Sequence, residues 1–207
     1  MSSEKRSYEL KERAKRQAET RRRIVAATVG LHQERGPAAT TVTEIAQRAG
    51  VSRLTVYQHF PTDGDLFTAC QRQFLTEHPR PDLEPALALD DPVERVRAVL
   101  EALYRSYRSQ GPMTAHVLRD RTLLPALDDL LTRTLDEKQT QLSAALAGGF
   151  ALDRPTHRRL RAVISLALDF STWQRLTGEG LTDTTAAATM AEAVAHTAAG
   201  QDVAAEA

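Results

Sequence analysis

The sequence predicts an all-α protein, and three observations carry that expectation. β-branched residues are scattered, Ala, Leu and Arg lead the composition, and apolar residues recur at alternating three- and four-residue intervals between glycine and proline stops. A chain of 207 residues has room for a compact module and a larger body. About nine helices are expected in all.

The first helix carries Ile24, Ala27, Thr28 and Leu31 on one face and stops at Gly36-Pro37, a glycine cap followed by a residue that cannot continue it. Thr41-Val42-Thr43-Glu44 has the form of a capping box, and Ile45, Ala46 and Ala49 supply an inward face for a second helix of roughly two turns. Ala49-Gly50-Val51-Ser52 then predicts a tight turn, with a left-handed glycine, an inward valine and a serine that caps a third helix over 53–60. Thr62-Asp63-Gly64-Asp65 opens a fourth helix over 63–78, with Leu66, Phe67, Cys70 and Phe74 in an apolar stripe. Pro79, Pro81 and Pro85 mark a linker.

Beyond the linker, a long helix starts at Asp91-Pro92, carries Val93, Val96, Leu100, Leu103 and Tyr107, and is expected to close at Gly111-Pro112. A short helix over 113–121 follows. Pro125 opens another, with Leu127, Leu130, Leu131, Leu135, Leu142 and Leu146, stopped by Gly148-Gly149. Pro155 begins one that is apolar around much of its circumference and runs to Gly178. Thr182 or Asp183 caps a last, alanine-rich helix to about Ala199, with a loose tail after it.

The net charge is zero, yet it is separated along the chain. Residues 1–60 hold 12 Lys and Arg against 6 Asp and Glu, a net of +6, and the remainder balances it at −6. Nine of those cations fall within 5–23 and end in Arg21, Arg22 and Arg23, so one end suits a polyanion. No apolar run approaches the roughly 20 residues of a membrane span, and the amino terminus is charged; a soluble, cytoplasmic protein is expected. Cys70, alone, makes neither an internal disulfide nor a cysteine-rich metal site and is expected to pack.

A short helix, a glycine turn and a second short helix behind a basic segment are what reading a major groove requires. On the third helix Arg53, Thr55, Tyr57, Gln58 and His59 face outward and can hydrogen-bond phosphates or base edges, while Val51, Val56 and Phe60 face inward. The run from Thr41 through Ile45-Ala46, Ala49-Gly50-Val51-Ser52 and Tyr57-Gln58-His59-Phe60, preceded by Glu34-Arg35-Gly36, resembles the signature of the TetR family of transcriptional regulators over roughly 22–74.

That resemblance implies an amino-terminal three-helix helix-turn-helix head on a larger helical ligand-binding and dimerisation domain. The expected division is a flexible basic arm over 1–20, a DNA-binding domain over 21–78 and a sensing domain over 79–207. Carried over residue by residue, Thr43, Tyr57 and His59 match phosphate contacts. Arg53 and Thr55 match positions that read bases, arginine on guanine and the threonine methyl on thymine. Arg22 and Arg23, with Arg21, reach adjacent backbone or minor groove. The sequence departs from the pattern at His32 and Pro37, where large apolar residues are usual, at Leu54 in place of a small residue, and at Asp63 in place of a lysine.

The implied partners are double-stranded DNA, a second copy of the chain joined through the last two long helices, and a small-molecule effector; no membrane and no cofactor is implied. Two heads would meet successive major grooves about 34 to 36 Å apart. The candidate ligand pocket is Tyr104, Tyr107, Met113, His116, Phe170 and Trp173, the bulky and amphipathic groups on the helices expected to enclose it. Two other readings stand beside this one: a ligandless DNA-binding co-regulator with a filled core, and an enzyme working in the carboxy-terminal cavity. Against the enzyme, the sequence holds no nucleophile elbow, metal-spaced histidine pair or phosphate-cradling glycine loop.

Overall fold

The structure, a computed structural model, describes residues 3–200, with side chains from residue 7 onward, and every regular element among them is helical. The expected loose tail falls, from residue 201 on, outside the described residues, as do the first two residues of the expected arm. The chain divides into two compact units, Met1–Pro79 with Pro112–Leu131, and Arg80–Gly111 with Thr132–Ala207. The sequence places a single boundary near the prolines at 79–85; of the two further crossings, one, at Gly111-Pro112, falls inside a helix and the other lies between Leu131 and Thr132.

The first unit holds α1 (Ser3–Arg35), α2 (Val42–Ala49), α3 (Arg53–His59), α4 (Asp63–Glu77) and α7 (Pro125–Leu131), together with the last turns of α6 (Pro92–Asp120). Its core joins Ile24, Val25 and Leu31 of α1 to Ile45 and Ala46 of α2, Val56 of α3 and Leu66, Cys70 and Phe74 of α4, with Phe60 and Met113 added. Burial pushes the Cys70 thiol up to about 12, so at neutral pH the sulfur is an uncharged packing group.

Three short elements start where caps were expected. Thr41 accepts from the Glu44 amide while the Glu44 carboxylate accepts from the Thr41 amide, closing the capping box of α2. Gly50 at φ 64 ends α2, and the Ser52 hydroxyl, 3.1 Å from the Thr55 amide, starts α3. Thr62 and Asp65 repeat the capping box at α4. Helix one differs: it begins at Ser3, so the segment expected as a basic arm continues α1 as helix.

The end of α1 is seated on the end of α6 by buried polar groups. The Asp120 carboxylate, 2% exposed, accepts from the Ala38 amide at 2.9 Å and from Arg119 Nε at 2.7 Å, while Arg119 Nη2 donates to the Arg35 carbonyl at 3.1 Å. Arg119 and the Ala38 amide hold the Asp120 carboxyl below its usual range against the opposing effect of burial. His116 Nδ1 donates to the His32 carbonyl at 3.2 Å, because a carbonyl can only accept. Gly36, at φ 95, makes this possible: a Cβ there would sit 2.5 Å from Asp120 Oδ2. His32 and Pro37, unusual in sequence, are both buried, the His32 ring lying 5.9 Å from that of Phe67.

The second unit is α5 (Glu84–Leu87), the first part of α6, a π-helical turn at Thr132–Asp136, α8 (Glu137–Ala147), α9 (Arg154–Leu168), α10 (Phe170–Gly178) and α11 (Asp183–Ala198). Val96, Leu100, Leu146, Leu160, Ile164, Leu168 and Val194 are fully buried in it. Three expectations about helix ends need correction. Gly111-Pro112 does not stop α6, so the separate helix over 113–121 merges into it. The missing proline N–H costs a helix hydrogen bond, and burial of Met113 in the other core stabilises the continuation. The helix from Pro125 is split by the π turn.

The helix from Pro155 is broken at Asp169, whose extended backbone (φ −73, ψ 136) ends α9 and whose carboxylate caps α10 at the Ser171 amide, 2.6 Å away.

Two measurements test the α1–α6 seat. Gly36→Ala should lower unfolding stability by about 1 to 3 kcal/mol, read from the denaturant midpoint, since it imposes both a disfavoured φ and a clash. Burial lowers the His32 pKa from 6.5 to about 4. Between those values the unfolded chain takes up a proton that the folded chain refuses, so stability present above pH 6.5 is lost as pH falls toward 4. The loss is on the order of 3 kcal/mol. His32→Leu should flatten that part of the stability profile; an unchanged slope would acquit the imidazole.

Candidate nucleic-acid interface

Helix α3 is too short to be stable alone, so the direction of its side chains is set by what its inner face meets. Val56, 1% exposed, and Phe60, 3% exposed, are sealed into the core of the first unit. The opposite face is thereby turned outward. Arg53, Tyr57 and Gln58 are exposed there, and Leu54, at 66% exposure, stands among them as an apolar group in water. Thr55 is half-buried, and its hydroxyl shares a 2.8 Å hydrogen bond with Ser52 Oγ, so its methyl is the freer part. His59 is half-buried at the other end.

Thr43 is exposed in the first turn of α2, beside amide groups that have no partner within the helix. Ion pairs hold α2 to the end of α1: Arg48 grips Glu34 with two bonds of 2.6 and 2.8 Å, and Arg35 reaches Glu44 at 2.6 Å. These are surface pairs, so they steer the orientation of α2 more than they stabilise it.

The arginine triplet separates on α1. Arg22 makes two bonds to Glu19, at 3.1 and 2.9 Å, which neutralises it locally. Arg23 is exposed beside the α2–α3 turn, its guanidinium 3.6 Å from where a Cβ on Gly50 would be. Arg21 lies with its guanidinium over the Phe60 ring, 4.6 Å from the centroid. Sequence reasoning missed Arg13 and Gln17, which line a groove with Arg21, Gln58 and His59. The four-residue spacing of Arg13, Gln17 and Arg21 was there to be read, but so charge-rich a segment reads as solvated tail.

The six candidate pocket residues do not form one set. Met113 belongs to the core of the first unit and His116 to its α1–α6 seat. Tyr104, Tyr107, Phe170 and Trp173 come together in the second unit, where Tyr107 meets Phe170 edge-on at 5.5 Å and Trp173 at 5.9 Å, and Phe170 lies 5.2 Å from Trp173. Both tyrosines are held by the break at Asp169: Tyr104 Oη donates to the Ala167 carbonyl and Tyr107 Oη to the Leu168 carbonyl, each at 2.7 Å. They satisfy acceptors that a helix end leaves free. Burial raises both phenol pKa values.

Trp173 Nε1 donates to Asp183 at 2.9 Å, and Arg108 forks onto the same carboxylate at 2.7 and 2.8 Å, holding its carboxyl below the usual range. Among the described residues no group of three His, Cys, Asp or Glu could hold a metal ion, and no helix is long and apolar enough to cross a membrane.

A glycine turn between two capped short helices, with the second helix's polar face outward, defines a helix-turn-helix head. Residues 24–70 match the model of the bacterial regulatory proteins of the tetR family. The chain is 30% identical over 153 residues to the HTH-type transcriptional regulator HbdR of Aromatoleum sp. (strain CIB), a match that covers 69% of this chain and 63% of that protein. It therefore spans a little under two thirds of that relative's length.

Among solved structures it is similar to a TetR-like transcriptional regulator from Rhodococcus sp. RHA1, with 20% identity, TM-score 0.63, and coverage of 88% of this chain and 97% of that one. A tetR-family transcriptional regulator from Streptomyces coelicolor matches with 19% identity, TM-score 0.60, and coverage of 89% and 84%. The match to the tetR family thus lies in the amino-terminal head, at residues 24–70, and the solved regulators share the fold.

Tyr107→Phe should destabilise the protein by about 1 to 3 kcal/mol through the unsatisfied Leu168 carbonyl. A thermal midpoint indistinguishable from wild type would show that water replaces the hydroxyl.

Proposed function

We propose that this chain is a sequence-specific DNA-binding transcriptional regulator, working as a homodimer that represses from a palindromic operator and is released by a small-molecule inducer. One observation carries the reading: the inner face of α3 is sealed while Arg53, Tyr57 and Gln58 stand in solvent behind a Ser52-capped turn. The basic character of 1–60 supports a polyanionic partner. Thr43, Tyr57 and His59 hold phosphates, Arg53 and the Thr55 methyl read base edges, and Arg22 and Arg23 add cationic attraction.

Dimerisation follows from the mode of reading, because two heads are needed to address two half-sites. Helices α9 and α11, which pack on each other, are the elements proposed to pair with a second copy, and Leu166 on α9 is 57% exposed. Helix α6 supports a route for release. It carries Tyr104 and Tyr107 beside the aromatic cluster and, further along the same helix, Arg119 and Asp120 gripping the end of α1. An inducer that binds one conformation of this helix better than another shifts operator affinity by that difference. The close packing of the aromatic cluster favours a second reading, a DNA-binding co-regulator without a ligand.

Selection of duplexes from a random pool tests the function, repeated with candidate inducers present and with thermal shifts recorded for each. Recovery of a palindromic sequence is expected. Tyr57→Phe with His59→Ala should weaken binding to every duplex alike, whereas Arg53→Ala should cost roughly 1 to 3 kcal/mol at particular base pairs only. Unchanged affinity in both variants would remove α3 from the interface.

A further inference from the structure

The stretch of α1 from Arg13 to Arg21, of which the helix-turn-helix reading uses only Arg21, forms one wall of a groove of about 560 Å³ whose other wall is the end of α3. Its lining is Arg13, Gln17, Ala18 and Arg21 from α1 with Gln58 and His59 from α3. Arg13, Gln17 and Arg21 are spaced by four, so they stand in one row along the helix. The row is about 12 Å long at 1.5 Å of rise per residue.

Among the described residues no carboxylate lines this groove. The nearby Glu19 is occupied by Arg22, and among the described residues no ion pair engages Arg13 or Arg21. Arg21 is fixed against Phe60, itself buried at the end of α3, so the row's position relative to α3 is set by packing. The groove therefore presents two guanidinium groups, two side-chain amides and an imidazole. That is a set of donors without a competing anion, laid out along a line and open to solvent.

We propose that this groove is a second DNA-contact track, which holds the sugar–phosphate strand flanking the site addressed by α3. Arg13, Gln17 and Arg21 donate to phosphates along that strand. The inference rests on the reading of α3 as the groove-reading helix, and Gln58 links the two, being both on the exposed face of α3 and in the lining of the groove. A strand of duplex suits the dimensions: its phosphates advance about 3.4 Å along the axis per nucleotide, so the row passes several of them. Charge of this kind, spread along a line with no enclosed end, selects a repeating polyanion over a compact anion. The contact carries no sequence information; it lengthens the footprint and steepens the dependence on salt.

The test uses the full-length chain and its selected duplex in two lengths, one trimmed at the half-site edges and one extended by several base pairs on each side. Arg13→Ala combined with Gln17→Ala changes only exposed positions on a helix, to the residue that favours helix most. The wild type should bind the longer duplex more tightly. The variant should lose that gain, reduce the slope of log affinity against log salt by about 1 through the one cation removed, Arg13, and select the same base sequence. Arg13→Lys should recover most of the slope. A variant that matches the wild type in slope and in its response to duplex length, while Tyr57→Phe with His59→Ala still weakens binding, overturns the track and leaves the α3 reading intact. A wild type that binds no duplex removes both.

Discussion

The polar face of α3 depends on the sealing of its back. Seven residues cannot hold a helix in water by themselves, so α3 exists because Val56 and the neighbouring Phe60 are taken into a core built by α1, α2 and α4. The same burial that supplies the stability fixes the rotation of the helix about its axis, and the exposed row follows without further instruction. Caps at Thr41, Ser52 and Thr62 decide where each short helix starts; the shared core decides how they are turned.

A second constraint acts on the far end of α1. Asp120 is a carboxylate almost without solvent, tolerable only because an arginine and a backbone amide reach it, and the amide can do so only because Gly36 takes a left-handed turn with no side chain. This ties the end of α6 to the element that anchors the helix-turn-helix. The arrangement gives α6 a mechanical role that no apolar stripe would reveal: a helix drawn to one core by Met113 and pinned by polar bonds beyond it.

Much of the head was legible. Capping boxes, the Gly50 turn and the alternation of inward Val56 and Phe60 with outward polar residues are local signals, and each appears where residues only three or four apart decide the outcome. The second unit was less legible. Gly111-Pro112 reads as a stop and is crossed; the run from Pro155 reads as continuous and is broken at Asp169. In both places distant partners decided. Met113 finds a core that carries the helix past the proline, and Tyr104 and Tyr107, more than sixty residues away in the chain, supply the donors that make a helix end at Leu168 tolerable. The candidate pocket was split for the same reason: bulky residues cluster in the sequence reading by kind, whereas packing assigned Met113 and His116 to the first unit and the four aromatic rings to the second.

The sequence by itself determined the all-helical class, the starts and stops of the short helices, the basic end and the outward residues of α3, because these rest on backbone propensity, capping and periodicity within one or two turns. Only the tertiary structure decided that the charged segment before Arg22 continues α1 as helix, that Arg21 lies on Phe60 while Arg22 is taken by Glu19, and that a row from Arg13 to Arg21 faces the end of α3. A charged stretch gives no pattern of burial to read, so its orientation waits on what it is packed beside.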